Sequence, residues 1–254
     1  MTTNAIDKKK IVIASDSRWS AEVDGDHIVF LDDYGFHKIA MKRMSTMVCA
    51  GDAILIEGWM EWFGRDELDL ENMPALNRRE NGELCHVVFH IVTSNGDVFD
   101  PGIGGTLDYN DEARFAGTGA THALTCFSTN RCVKTSVATA AGLDPCTGGT
   151  TRFVDFGVSQ HNLIPFTSGA AELNSDLGQR GTIMNRHTRE VSTINEFLSK
   201  RNGSAPQTGL GNVSASAPTG TPAFEWSESQ KNELKRAFTL VASLEASAKN
   251  DQAD

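Results

Sequence analysis

Thr46–Phe63, TMVCAGDAILIEGWMEWF, changes character in its middle. Thr46–Ala50 is short and apolar, as a buried strand is. From Asp52 to Phe63 the apolar residues are too continuous for alternation and fit a helix with one wide buried face. Asp52 stands at the junction, where a carboxylate can cap the first helical turn. Working outward, Lys10–Asp16 (KIVIASD) and His27–Leu31 (HIVFL) read as further strands. Asn72–Gly82 reads as a polar loop. His86–Thr93 and Gly96–Phe99 form a hairpin across Ser94-Asn95-Gly96. Arg114–Gly117 is a short strand, Thr121–Phe127 and Arg131–Gly142 are small-residue helices, and Thr150–Phe156 alternates as a strand. Strands, a helix, strands, two helices and strands again predict an α+β arrangement of stacked antiparallel sheets with helices outside.

The composition changes after about Lys200. Residues 201–223 are rich in Gly, Ser, Ala, Thr and Pro and predict a flexible linker. Beyond it, 224–254 holds an amphipathic helix. Ser227 and Gln230 make a capping box, and Leu234, Ala237, Phe238, Val241, Leu244 and Ala248 fall on one stripe. Such a stripe is expected to pack, preferentially within the same particle. Trp59 and Trp62 are expected in a core or an interface.

The chain of 254 residues holds one full-sized domain with a small appendage, here residues 1–200 and the tail. The net charge of −10 argues against a nucleic-acid partner. No apolar run suits a membrane helix, and the N-terminus lacks the features of a signal peptide, so a cytoplasmic location is expected. The five cysteines show no CxxC pairing and predict reduced, mostly buried thiols. His86 and His90 lie four apart in a strand-like run, outside any helical HExxH context, so no metal site is expected.

Several polar residues have ordinary readings taken singly and a chemical one together. Removal of Met1 would leave Thr2 with a hydroxyl and a free α-amine, which titrates near ~7.7–8 and can take the hydroxyl proton. Asp16 ends a buried strand and can orient an ammonium; Lys38 precedes another strand and can lower a neighbouring hydroxyl's proton affinity. Gly117-Thr118-Gly119 opens a helix, and Asp144-Pro145-Cys146-Thr147-Gly148-Gly149 leads into a strand.

In this order, Thr2, IASD, HKI, AGDA, GTGATHA and DPCTGG, the set resembles the proteasome β-subunits and the bacterial HslV peptidases, N-terminal-nucleophile (Ntn) hydrolases. The resemblance covers approximately residues 2–160. It implies a four-layer αββα sandwich, with Thr2 as nucleophile and, through its amine, as general base. It implies Asp16 and Lys38 beside that group, and Thr118, Asp144 and Thr147 fixing the amine. A backbone N–H near Gly51 would meet the oxyanion at a helix N-terminus, and Cys49 would shape the side-chain pocket. The longer interval between Asp16 and Lys38 implies an inserted loop around Ser20–Asp26.

The function so implied is a threonine endopeptidase without a cofactor, assembled as a homo-oligomeric ring and cutting polypeptide. No GxxxxGK[ST] phosphate loop is present, so an ATP-dependent unfoldase would be a separate protein. Two alternatives stand beside it: an inactive scaffold or assembly protein of the same fold, and an Ntn amidohydrolase acting on a small amide.

Overall fold

Alternation along the first two strands decides which side of the molecule each residue serves. Ala5 and Ala14 point to one face of their sheet, Ile6 and Ile13 to the other, as a period of two requires. The computed structural model describes residues 2–100, 105–202, 209–211 and 213–250. In chain order come β1 (Thr3–Asp7), β2 (Val12–Ser15), β3 (Trp19–Glu22), β4 (His27–Leu31), β5 (Ile39–Met41), β6 (Ser45–Asp52) and α1 (Ala53–Gly64). Then follow β7 (Asn77–Glu80), β8 (Glu83–Thr93), β9 (Val98–Phe99), β10 (Leu107–Tyr109), β11 (Ala113–Gly117), α2 (Ala120–Asn130) and α3 (Val133–Ala141). The remainder is β12 (Arg152–Asp155), β13 (Gln160–His161), α4 (Ala170–Arg180), β14 (Thr182–Asn185), β15 (Val191–Thr193), α5 (Ile194–Asn202), β16 (Ser216–Ala217) and α6 (Glu228–Asn250).

The fold is α+β, with two antiparallel sheets. One has the order β10-β11-β1-β2-β12-β13; the other runs β15-β14-β4-β3-β16-β6-β8-β7, with β5 on β6 and β9 on β8. Three apolar clusters organise them. Ala5, Ala14 and Phe115 pack against Ala123 and Phe127 of α2 and Val137 of α3. Ile6, Ile13 and Val154 of the first sheet meet Ile39, Val48 and Val92 of the second. Trp19, Met47 and Phe89 pack against Trp59 of α1, Leu173 of α4 and Phe238 of α6. The alanines on the α2–α3 side let two Ala-rich helices sit close to the strands.

The β6–α1 junction is as its sequence predicts: Asp52 caps α1 by accepting from Leu55 N at 3.1 Å. The Ser227–Gln230 capping box forms at the start of α6, with Ser227 N donating to Gln230 Oε1 at 2.9 Å and Gln230 N to Ser227 Oγ at 3.3 Å. The apolar stripe of α6 packs on this chain's own α1, where Phe238 stacks on Trp59 and meets Trp62 edge-on. Among the described residues no helix is long and apolar enough to cross a membrane.

Three expectations need correction. Asn72–Gly82 is not wholly loop, because Asn77–Glu80 pairs with β8 as β7 and Arg78 finds Asp52 and Glu80 as partners. The region around Ser20 is not an inserted loop; Trp19–Glu22 is β3, paired with β4, and only Val23–Asp26 turns. The stretch 201–223 is not a free linker throughout. Ser216–Ala217 forms β16, and Ala215, Ala217 and Thr219 are buried in alternation. Small side chains, which made the stretch look flexible, are what fit a narrow slot between two strands.

Candidate active site

Antiparallel pairing of β1 with β2 brings Thr2, just ahead of Thr3, beside Asp16, just beyond Ser15. Thr2, Asp16 and Lys38 are all buried, at 0%, 2% and 1% exposure, which removes bulk water from their contacts. The Thr2 hydroxyl donates to Asp16 Oδ1. Lys38 Nζ donates to Thr2 Oγ1 at 2.8 Å, to Asp16 Oδ1 at 3.1 Å and to Arg18 O at 2.6 Å. The three ammonium hydrogens therefore each have an acceptor. Asp16 also accepts from Thr3 N at 2.8 Å, Arg18 N at 3.1 Å and Gly148 N at 3.3 Å. Burial pushes the Lys38 ammonium below its ordinary value, and the charge of Asp16 pulls it back up.

The second group of residues reaches the same strand from the other side. Asp144 accepts from Thr147 Oγ1 at 2.6 Å and from Thr118 Oγ1 at 2.8 Å, both on Oδ2. Its other oxygen accepts from Cys146 N at 3.3 Å, which shapes the turn. Thr147 Oγ1 lies 2.7 Å from Thr3 Oγ1, so this cluster touches the strand through Thr3. The backbone N–H of Thr2 donates elsewhere, to Pro218 O at 3.3 Å. Gly117 makes the approach of the two groups feasible: its φ is +88°, and a Cβ there would stand 2.0 Å from Thr2 O.

Gly51 is the penultimate residue of β6, one before the cap of α1, opposite Val87 on one side and Ala217 on the other. Its φ of +120° and a carbonyl 2.2 Å from any added Cβ exclude a side chain there. Cys49 is fully buried in the cluster below α1, its N–H donating to Lys38 O at 2.8 Å. Burial pushes its thiol well above the ordinary value, so it is an apolar, unreactive part of that core and does not line the groove by Gly51 that it was expected to shape.

The sequence reading missed Arg18, Thr3 and Asn4. Arg18 grips Asp32 with two nitrogens, at 2.7 and 2.8 Å, and reaches Pro145 O at 2.7 Å, tying the Asp144 turn to β3. Asn4 accepts from Ser15 Oγ at 2.7 Å and donates to Cys49 O at 3.2 Å, joining the two sheets. The SDSR run carries Arg18 in view beside Asp16, yet its partner Asp32 is set only by the β3–β4 pairing. Asp52, Glu80 and Cys85 present ligand-type atoms within 4.8 Å of one another. That cluster already encloses a cation, since Arg78 bonds Asp52 at 2.6 and 2.7 Å and Glu80 at 2.7 Å.

No known family model matches this chain, and no curated protein matches it.

Proposed function

We propose that this chain is an N-terminal-nucleophile hydrolase of the four-layer αββα type, acting on peptide bonds through Thr2. The observation that carries the proposal is the water-excluded contact of the Thr2 hydroxyl with both Lys38 and Asp16. The three apolar clusters support the layer order helix, sheet, sheet, helix. Once Met1 is removed, the α-amine takes the proton of the Thr2 hydroxyl as Oγ1 attacks the scissile carbonyl. The Lys38 ammonium, 2.8 Å from Oγ1, offsets the charge developing there. In this reading the oxyanion would be met by an N–H near Gly51, beside the start of α1, whose Ala53 N–H donates in the resting chain to Ala215 O at 3.1 Å. Breakdown returns the amine's proton to the leaving nitrogen, and water then releases the acyl group from Oγ1.

A specific observation favours a second reading, a non-catalytic member of the fold: Thr2 has 0% exposure. The test is intact-mass spectrometry after treatment with a peptide epoxyketone, whose ring closure needs the amine and hydroxyl of one terminal residue. We expect loss of Met1 and a single adduct, absent in Thr2→Ala. Retained Met1 without an adduct, on protein made in its own host, would move the assignment to the scaffold. The ring assembly and a separate unfoldase belong to the same proposal; a monomer in sedimentation would remove them.

A further inference from the structure

The occupant of the space beside Thr2 is this chain itself. Between β3 and β6 lies β16, antiparallel to both, with Ser216 opposite Ser20 and Asp52 and Ala217 opposite Gly51. One residue further on, Pro218 O accepts the Thr2 N–H at 3.3 Å. The first N–H of α1, on Ala53, donates to Ala215 O at 3.1 Å, and Ala215 N donates to Asn174 Oδ1 at 2.7 Å. The grip is on the backbone; the side chains are Ser, Ala, Ser, Ala, Pro and Thr. Ala215, Ala217 and Thr219 turn inward while Ser214, Ser216 and Pro218 are only half-buried, as in an extended peptide laid into a cleft.

The outer side of this segment faces an open groove of about 1660 Å³ whose walls include Gly51, His86, Asn174, Ser216 and Pro218. Release of the segment breaks the two backbone bonds of Ala215, to Ala53 of α1 and Asn174 of α4, and draws Ala215 and Ala217 out of the apolar cluster, while no helix residue leaves with it. Its departure would open a gap of about 9–10 Å between β3 and β6, two strand spacings, enough for one extended chain.

We propose that Ser214–Thr221 is a cis-acting plug that fills the peptide slot beside Thr2 and must leave before an extended polypeptide can enter. The proposal rests on the reading of Thr2 as the nucleophile. It explains how a hydroxyl held by Lys38 and Asp16 can be sealed from solvent in the resting chain: the tail lies where a substrate strand would, so reaction is limited by release of the tail.

The experiment uses full-length protein, shown by mass to lack Met1, and a tri-alanyl epoxyketone as probe. Hydrogen exchange is followed by mass spectrometry across 213–221, before and after the adduct forms. We expect the segment to lose its protection in the adduct, and Ala217→Trp, whose side chain cannot enter the slot, to react at least tenfold faster than wild type. An adduct that leaves 213–221 as protected as β6, or equal rates in the two proteins, overturns the plug and leaves the hydrolase reading intact. No adduct in either protein, with the segment exchanging freely in Ala217→Trp, overturns the hydrolase reading and the plug with it. If Ala217→Trp does not fold, wild type decides alone: an adduct with release supports the plug, while an adduct without release, or no adduct after prolonged incubation, overturns it.

Discussion

Lys38 and Asp16 are each other's neutralising charge in a place without water, so neither can be removed quietly. In Lys38→Met the carboxylate keeps its hydrogen bonds from Thr3, Arg18 and Gly148 but loses its cation. Breaking a buried pair from one side costs about 3–5 kcal/mol. We expect a loss of that size in urea unfolding, together with at least a hundredfold slower epoxyketone labelling. A variant within ~1 kcal/mol of wild type would show that the pair does not hold the fold as drawn. Lys38→Arg should not restore labelling, because a planar guanidinium cannot reproduce three donors diverging from one nitrogen to Thr2, Asp16 and Arg18 O. Both residues were visible in the sequence only as strand-end charges. Their meeting was implied only by the resemblance, because it depends on β1 pairing with β2 and on β5 lying along β6.

Among elements, α6 shows most clearly how packing gives a helix its place. Phe238 is fully buried, with ring centroids 4.8 Å from Trp62 and 5.6 Å from Trp59. Farther along, Glu245 accepts from Met44 N at 2.9 Å and Ser45 Oγ at 2.7 Å, fixing the helix to the start of β6. Phe238→Ala should cost about 3–5 kcal/mol, read from the urea midpoint at unchanged slope, because the aromatic set around it is too rigid to collapse into the void. A cost below ~1 kcal/mol would mean that α6 is loosely docked. This helix was legible from its stripe and capping box. β16 was not: two residues, Ser and Ala, carry no strand preference, and only the slot between β3 and β6 makes them one. β7 was hidden for a related reason, since NRRE is polar and becomes a strand only against β8.

For the molecule as a whole, buried histidines set the response to acid. Burial pushes His37, His86 and His90 below the ordinary histidine value; at His90 the charge of Asp100 works against that shift. The unfolded chain therefore binds protons that the folded one refuses. Stability is present in full above the unfolded value of about 6.5 and falls as pH drops below it, by up to ~1.4 kcal/mol per pH unit for each such group. The urea midpoint should fall between pH 7 and pH 5, and His90→Gln should flatten that slope. An unchanged slope would show that His90 already carries its proton in the folded state. At this scale the sequence revealed the α+β class and the order of the main strands and helices up to Phe156, but not β3, β7 or β10. The part after it, with α4, α5, β14 and β15, lacked strong periodicity. Its place depends on edges that other strands leave open, as β14 beside β4 shows.

The position of β16 also fixes when the larger sheet can be finished. Ser20 and Ser216 are 196 residues apart, so the facing edges of β3 and β6 stay unpaired until β16 has been made. Contacts of such long range are slow to form, and unpaired strand edges invite pairing with other chains. A nascent chain stopped before Ser216 would present two open edges beside Thr2. Synthesis itself thus imposes an order of events, with β16 closing the sheet only after β3 and β6 have both been made.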